Sequence, residues 1–593
     1  MSQQQPSSSS DSWLGSLALL FQNPYIKYGV IASGLAASYF GVKTASHAYM
    51  DYSEERSKKE KKQKIRFLLD KLREKHSNTS NNNKTLINGE DVFVDELLDT
   101  VNAIFYPTFG MSDQVPDGLA NHIPMVLSAL YQLKQSEHVS QPPITMDVYL
   151  KNVEMDAQRL ELSDTYLPHS DQAEILTNWE RDKLQPLLSK INVNTLGPEL
   201  GVTVSKFIAI SLRQLFDSIF TGKTSTNRPD HLIYHRLMQH LVLLHAIKVK
   251  CQENSTDQTL VIQTSTTNPT APTLTLSKHL SQQVFESVLS DPMIIELLCG
   301  LSGGAFHPAI MLSYGVLQNF HTSTILTALG YFMYAYHSLA PNETVLREYL
   351  TVNQQEEALG EEDEIISKRH KFSTMKELFG KIEELYPEYF TKRFRTERFK
   401  RVNFLIHNLM NSLKDGLRPR HYAKVCSFFY MINEKKSIVP RFSLEDFEKM
   451  ALEMYLTGPV KFDIVTLHCI TGCFAVRLLL PYIHDQNVQE KILYHLWESF
   501  VCVYLLIGGS SHMRNDLSLS GVKGDAVEDR HVPEWKEILP QLQDNFDEHD
   551  IKLVYTAFEE AKIHPKWEIE YRKSAAKRVG LLKVIESDPE SKP

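Results

Sequence analysis

A mainly α-helical protein is expected from these 593 residues, on three observations. Apolar residues recur at helical spacing through most of the chain beyond residue 90. β-prone runs are confined to TLVIQT and TLTL, which flank Asn268-Pro269 in the loop-like stretch 251–275 and suit one hairpin. Hydrophobic residues make up 42% and charged residues 23%, the composition of a chain with a packed core. The periodicity predicts helices over Val94–Ile104, Ile123–Leu133, Val204–Phe220, His231–Val249, Leu276–Leu298 and Ile325–Tyr336. The length suits two to four domains, or one large helical domain with extensions.

Five segments follow from composition. Residues 1–11 are Ser- and Gln-rich and are expected to be disordered. Residues 12–50 form a hydrophobic segment in which Lys27 alone interrupts Ser12 to Val42. Tyr28 to Val42 falls short of the roughly 20 residues that cross a bilayer, but extension past a snorkelling Lys43 to Met50 reaches that length. One reading is a membrane anchor. The other is a helix docked on the protein's own core or on a partner. Residues 51–89 hold a basic helix around Lys58 to Lys64 and a polar linker at Ser77 to Thr85. With the basic flank on the cytosolic side, the anchor reading places the main domain in the cytosol of an intracellular protein. Residues 90–510 then form the helical domain, and 511–593 a helical C-terminal extension.

The net charge of −9 is spread along the chain and gives no basic footprint for nucleic acid. Six cysteines without a CxxC pair argue against a disulfide framework or a structural zinc site. Cys469 and Cys473, one helical turn apart, read as two small buried residues. Dinucleotide, P-loop, nucleophile-elbow and HExxH motifs are absent.

Histidine is the remaining source of chemistry. His122, His307 and His468 each lie in an apolar segment, where a neutral imidazole can bind a metal, move a proton, or satisfy a buried carbonyl. The His231, His235 pair shares a helix face but has the charged surroundings of a wet helix start.

Three segments together resemble the questin oxidase-like family: NHIPMVLSALYQL, GGAFHPAIMLSYG and KFDIVTLHCITGCFAVRLLLPYI, with Asp415-Gly416 and His421-Tyr422-Ala423-Lys424 as a weaker fourth. The resemblance covers roughly residues 90–510. It implies a large helical domain that oxidises bulky aromatic molecules such as anthraquinones. It also implies either non-haem iron in a histidine-rich site or NADPH as reductant. On this basis His122, His307, His468 and Tyr314 are candidate catalytic residues. His122, His307, His468 and His421 are candidate metal ligands, and Arg477 and Lys461 candidate cofactor-binding residues. Lys461 shares a helix face with His468. Arg477, nine residues on, reaches the same pocket only if the helix breaks near Gly472.

Met125, Val126, Met311 and Phe474 stand where the family carries further histidines. Thioether and phenyl groups are poor partners for ferrous iron. Two functions therefore compete: an oxidoreductase on an aromatic or apolar substrate, and a catalytically degenerate, membrane-tethered scaffold or hydrophobic-ligand-binding protein.

Overall fold

The computed structural model describes residues 63, 65–75, 86–104, 121–135, 146–157, 171–191, 197–212, 214–216, 218, 231–252, 257–263, 273–336, 338–341, 374–399, 412–432, 438–458, 463–509, 532–542 and 547–582. The expected hydrophobic segment 12–50 and the acidic stretch 353–364 lie outside these residues. The chain divides into two compact units, 1–71 and 72–593. Of the first, residues 63 and 65–71 are described, and they are helical.

The second unit is mainly α. Its principal helices are α1 (Leu86–Ile104), α2 (Ile123–Gln135), α3 (His231–Lys250), α4 (Gln282–Leu289), α5 (Pro292–Leu298), α6 (His307–Leu317), α7 (Thr322–Ala335), α8 (Leu444–Thr457), α9 (Asp463–Leu479), α10 (Gln486–Ile507), α11 (Glu548–Ile563) and α12 (Glu568–Arg578). The expected hairpin is present: Leu260–Gln263 pairs antiparallel with Thr273–Leu276. A second two-stranded ribbon joins Tyr430–Ile432 to Ile438–Pro440.

The helix expected over Leu276–Leu298 is broken into a strand end and two helices. Asp291 accepts a hydrogen bond from Met293 N–H and Pro292 opens α5, so the backbone restarts there. The helix expected to run to Phe220 leaves α geometry at Ile208, where a π segment spans Ile208–Leu212.

Four helices close into a ring. α2 packs on α6, α6 on α9, α9 on α11, and α11 back on α2. Their facing surfaces are apolar almost throughout: Ile123 to Leu130, His307 to Val316, and Val465 to Val476 are buried without interruption. Among the described residues, one helix is long and apolar enough to cross a membrane, Asp463–Tyr482, and 72% of its apolar window is buried inside the protein. That helix is the core of the ring, which accounts for its hydropathy.

Candidate metal centre

Each helix of the ring contributes one histidine to a common point. His122 immediately precedes α2, His307 opens α6, His468 lies on the second turn of α9, and His549 lies in the first turn of α11. One ring nitrogen from each lies within 4.8 Å of those of the other three. All four rings are buried, His468 at 1% exposure and His307 and His549 at 7%.

Local sequence sets these positions. Asn121 Oδ1 accepts from Ile123 N–H at 3.1 Å and starts α2 beside His122. Asp547 Oδ1 accepts from His549 N–H at 2.9 Å and starts α11. Before His307, the backbone takes left-handed geometry at Gly304 (φ 56), Ala305 (φ 57) and Phe306 (φ 66). Such geometry at two residues bearing a Cβ costs roughly 1–2 kcal/mol each. It turns the chain sharply so that His307 starts α6 facing α9. Gly472 lies one turn beyond His468, and a Cβ there would sit 2.9 Å from the Phe306 ring. Only glycine lets Phe306 lie on α9, and so lets His307 reach His468.

The tautomers follow from the backbone. His307 Nδ1 donates to the Gly304 carbonyl, and His468 Nδ1 donates to the Ile464 carbonyl. A carbonyl only accepts, so in the neutral rings both Nε2 atoms carry lone pairs. These two Nε2 atoms are 3.0 Å apart. His122 Nε2 is 2.7 Å from His307 Nε2. Its Nδ1 faces Glu548 Oε1 at 3.6 Å. Glu548 Oε1 also stands 3.6 Å from His549 Nδ1. Burial holds all four imidazoles below the ordinary histidine range. The buried Lys552, on the same helix as His549, adds a like-charge penalty to each protonated ring.

Lone pairs that face each other at 3 Å repel unless a cation lies between them. Two nitrogens bound about 2.0–2.1 Å from one ion, at right angles, stand about 2.9 Å apart. The His122–His307 and His307–His468 separations match that spacing. The donor set fits a divalent transition metal of the kind imidazole favours, iron and zinc included. The outer contacts match as well: backbone carbonyls behind two rings and a carboxylate behind a third.

The structure thus brings His122, His307 and His468 together. It does not bring His421 to them: that ring stacks on Tyr386, with centroids 4.7 Å apart, and its Nδ1 lies 2.9 Å from Tyr389 Oη. Arg477 corrects a second expectation. α9 runs unbroken through Gly472, so Arg477 faces away from the histidines and binds Glu448, with Nε to Oε1 at 2.7 Å. Tyr314 lies two turns beyond His307 and packs against Tyr555 at 5.8 Å between centroids. Burial pushes its hydroxyl far above the ordinary range, so it stays protonated. Lys461 lies outside the described residues. Met125, Met311 and Phe474 are fully buried in helix packing.

His549, Glu548 and Lys552 were not singled out from sequence. The available signal was the run DEHDIK, an acidic cap followed at once by a histidine. It repeats the pattern of His122 and His307, which also stand at helix starts.

The questin oxidase-like family model matches residues 275–557. The match starts later than residue 90 and runs past 510, taking in His307, His468 and His549 but not His122. No curated protein matches the chain. The match points to an oxidoreductase-type role. Through residues 275–557, the core of this chain, the protein is similar to the questin oxidase-like family.

Proposed function

We propose that this protein is an oxidoreductase acting on a bulky aromatic or apolar molecule at a non-haem iron held by His122, His307, His468 and His549. The observation that carries the reading is the His307–His468 contact, in which two lone pairs fixed by backbone carbonyls meet at 3.0 Å. Iron, when bound, supplies one-electron chemistry with oxygen that no side chain offers. The chain's own residues do the rest. The Gly304 and Ile464 carbonyls hold two rings in the coordinating tautomer. Glu548 faces the Nδ1 atoms of His122 and His549. Burial and Lys552 keep the imidazoles unprotonated near neutral pH, and so able to coordinate.

The departures Met311 and Phe474 weigh less under this reading, because His549 supplies a fourth imidazole from a separate helix. The test uses full-length protein loaded anaerobically with ferrous iron, then given oxygen and hydroxylated anthraquinones, with and without NADPH. Oxygen uptake that depends on the aromatic compound, and that is lost in His468→Ala, is the expected result. Iron-loaded protein that consumes no oxygen with any compound overturns the oxidoreductase reading. It leaves the binding or scaffold reading, in which the same compounds bind without turnover.

A further inference from the structure

At the end of α6 opposite His307, a second pair of histidines marks the turn into α7. His279 and His321 face each other across an isolated antiparallel β-bridge, with ring centroids 5.7 Å apart. Leu280 N–H donates to the Phe320 carbonyl and Thr322 N–H to the Lys278 carbonyl, each at 2.9 Å, and these bonds fix the crossing. The turn is strained, with Asn319 (φ 52) and Phe320 (φ 58) in left-handed geometry. Both rings meet carboxylates of α1. His279 Nε2 lies 3.0 Å from Asp95 Oδ2, and His321 Nε2 lies 3.2 Å from Asp99 Oδ1. The two aspartates are one helical turn apart, about 5.4 Å along α1, so their spacing matches that of the rings.

His279 cannot keep both its contacts as a neutral ring. Its Nδ1 donates to the Asn319 carbonyl at 3.1 Å. A carbonyl and a carboxylate both only accept, so both ring nitrogens must carry hydrogen, which only the imidazolium provides. Once neutral, the ring turns a lone pair on one of the two oxygens, and its side chain, 31% exposed, can exchange that contact for water. His321 differs. It is fully buried, and its Nδ1 lies 3.0 Å from the Thr324 hydroxyl, which can donate, so this ring can hold Asp99 in either state. Two further groups face the aspartates: Lys278 Nζ lies 3.4 Å from Asp95 Oδ2, and Ser323 Oγ donates to Asp99 Oδ1 at 2.8 Å. Asp95 holds the His279 imidazole above the ordinary histidine range, against burial and the charge of Lys278. Burial opposes charge on both aspartates, yet His279 and Lys278 hold Asp95, and His321 and Ser323 hold Asp99, below the ordinary carboxylate range.

We propose that His279 is a proton-operated clasp that fastens α1 to the α6–α7 turn, with Asp95 as its partner and the His321–Asp99 pair as the fixed end. α1 packs on α7 and on α2, with Phe93, Val94, Leu97 and Leu98 buried. The clasp sets how firmly that cover is held. The raised histidine contributes stability that is complete below its ordinary value and lost as pH rises through the higher folded one. The lowered aspartates contribute stability above their ordinary value, lost only in acid. α1 is therefore held most firmly between those two ordinary values and loosens on the alkaline side. No atom of the four-histidine centre takes part.

The test is hydrogen exchange of full-length protein read by mass spectrometry at about pH 5.5 and about pH 8.5, either side of the ordinary histidine value. Wild type is compared with Asp95→Asn/Asp99→Asn and with His279→Gln at the same pH, so intrinsic exchange chemistry cancels. At the lower pH, amides of α1 should exchange about fivefold faster in the double variant, the sum expected of two partly exposed ion pairs. His279→Gln should show a smaller increase of the same kind. At the higher pH both variants should approach the wild type. Amides of α9, which lies in the core, should exchange alike in all three proteins and report that the fold is intact; the asparagines keep the size of the aspartates, and His279 is partly in solvent. An α1 difference of the same size at both pH values, or no difference at the lower one, overturns the proposal.

Discussion

α9 and α11 carry two buried polar clusters, and the difference between them shows what makes a metal site. At one end stand His122, His307, His468 and His549. At the other, Arg477 of α9 and Glu560 of α11 meet Glu448 of α8 and His564. By distance alone, Glu448, Glu560 and His564 could also gather around an ion. There the cation is already present: the Arg477 guanidinium binds Glu448 and lies 3.4 Å from Glu560 and 2.8 Å from His564 Nε2. The acids are not short of positive charge. The histidine cluster has the converse arrangement: ring nitrogens converge on one another, and the nearby Lys552 ammonium keeps those rings unprotonated.

Four substitutions test that contrast. The largest effect is expected from His307→Ala, which removes the central imidazole. Metal affinity should fall more than about a hundredfold, since even outer-shell partners are worth 10–100-fold. Equilibrium dialysis against ferrous and zinc ions measures it.

Arg477→Met comes next. It strands Glu448, which is 2% exposed on its side chain, without its cation. A loss of about 3 kcal/mol of stability is expected, the low end for a broken buried pair, with metal content unchanged. Denaturant unfolding together with metal analysis separates the two readouts.

Gly472→Ala pushes a methyl group against Phe306 and should cost about 1–3 kcal/mol as an overpacked core. Unlike Arg477→Met, it should also weaken metal binding, because Phe306 positions His307.

The last effect concerns pH and is confined to alkaline conditions. Burial pushes Glu448 up to about 7 and Glu560 up to about 8. Both lie above the ordinary carboxylate value, so the folded state binds more protons than the unfolded one between about pH 4.5 and 8. Stability from this source is present at low pH and is lost as pH rises through 7 to 8. Glu560→Gln should therefore unfold at a higher temperature than wild type at pH 9, with no difference near pH 4.

Much of this was legible in sequence where the signal is local. Helical periodicity located α2, α3 and α7 to within a few residues, because each buries a broad apolar face. His122, His307 and His468 stood out as polar residues in apolar surroundings. What sequence could not give was which rings meet. Arg477 and His468 share a helix yet serve different clusters, because nine residues turn the side chain about half a turn away. His549 lies among acids, so its segment reads as a wet helix start. It becomes buried only when α11 packs on α2 and α9. Gly472 looked like a site for a helix break, but its function is close approach to Phe306.

The central claim is that four imidazoles from four helices hold one metal ion. Elemental analysis of purified full-length protein, alongside His307→Ala and Arg477→Met, tests it most directly. The account predicts close to one iron or zinc per chain in the wild type and in Arg477→Met, and none in His307→Ala. Folded wild-type protein that stays metal-free after exposure to ferrous and zinc ions, or a His307→Ala variant that keeps its metal, would contradict it.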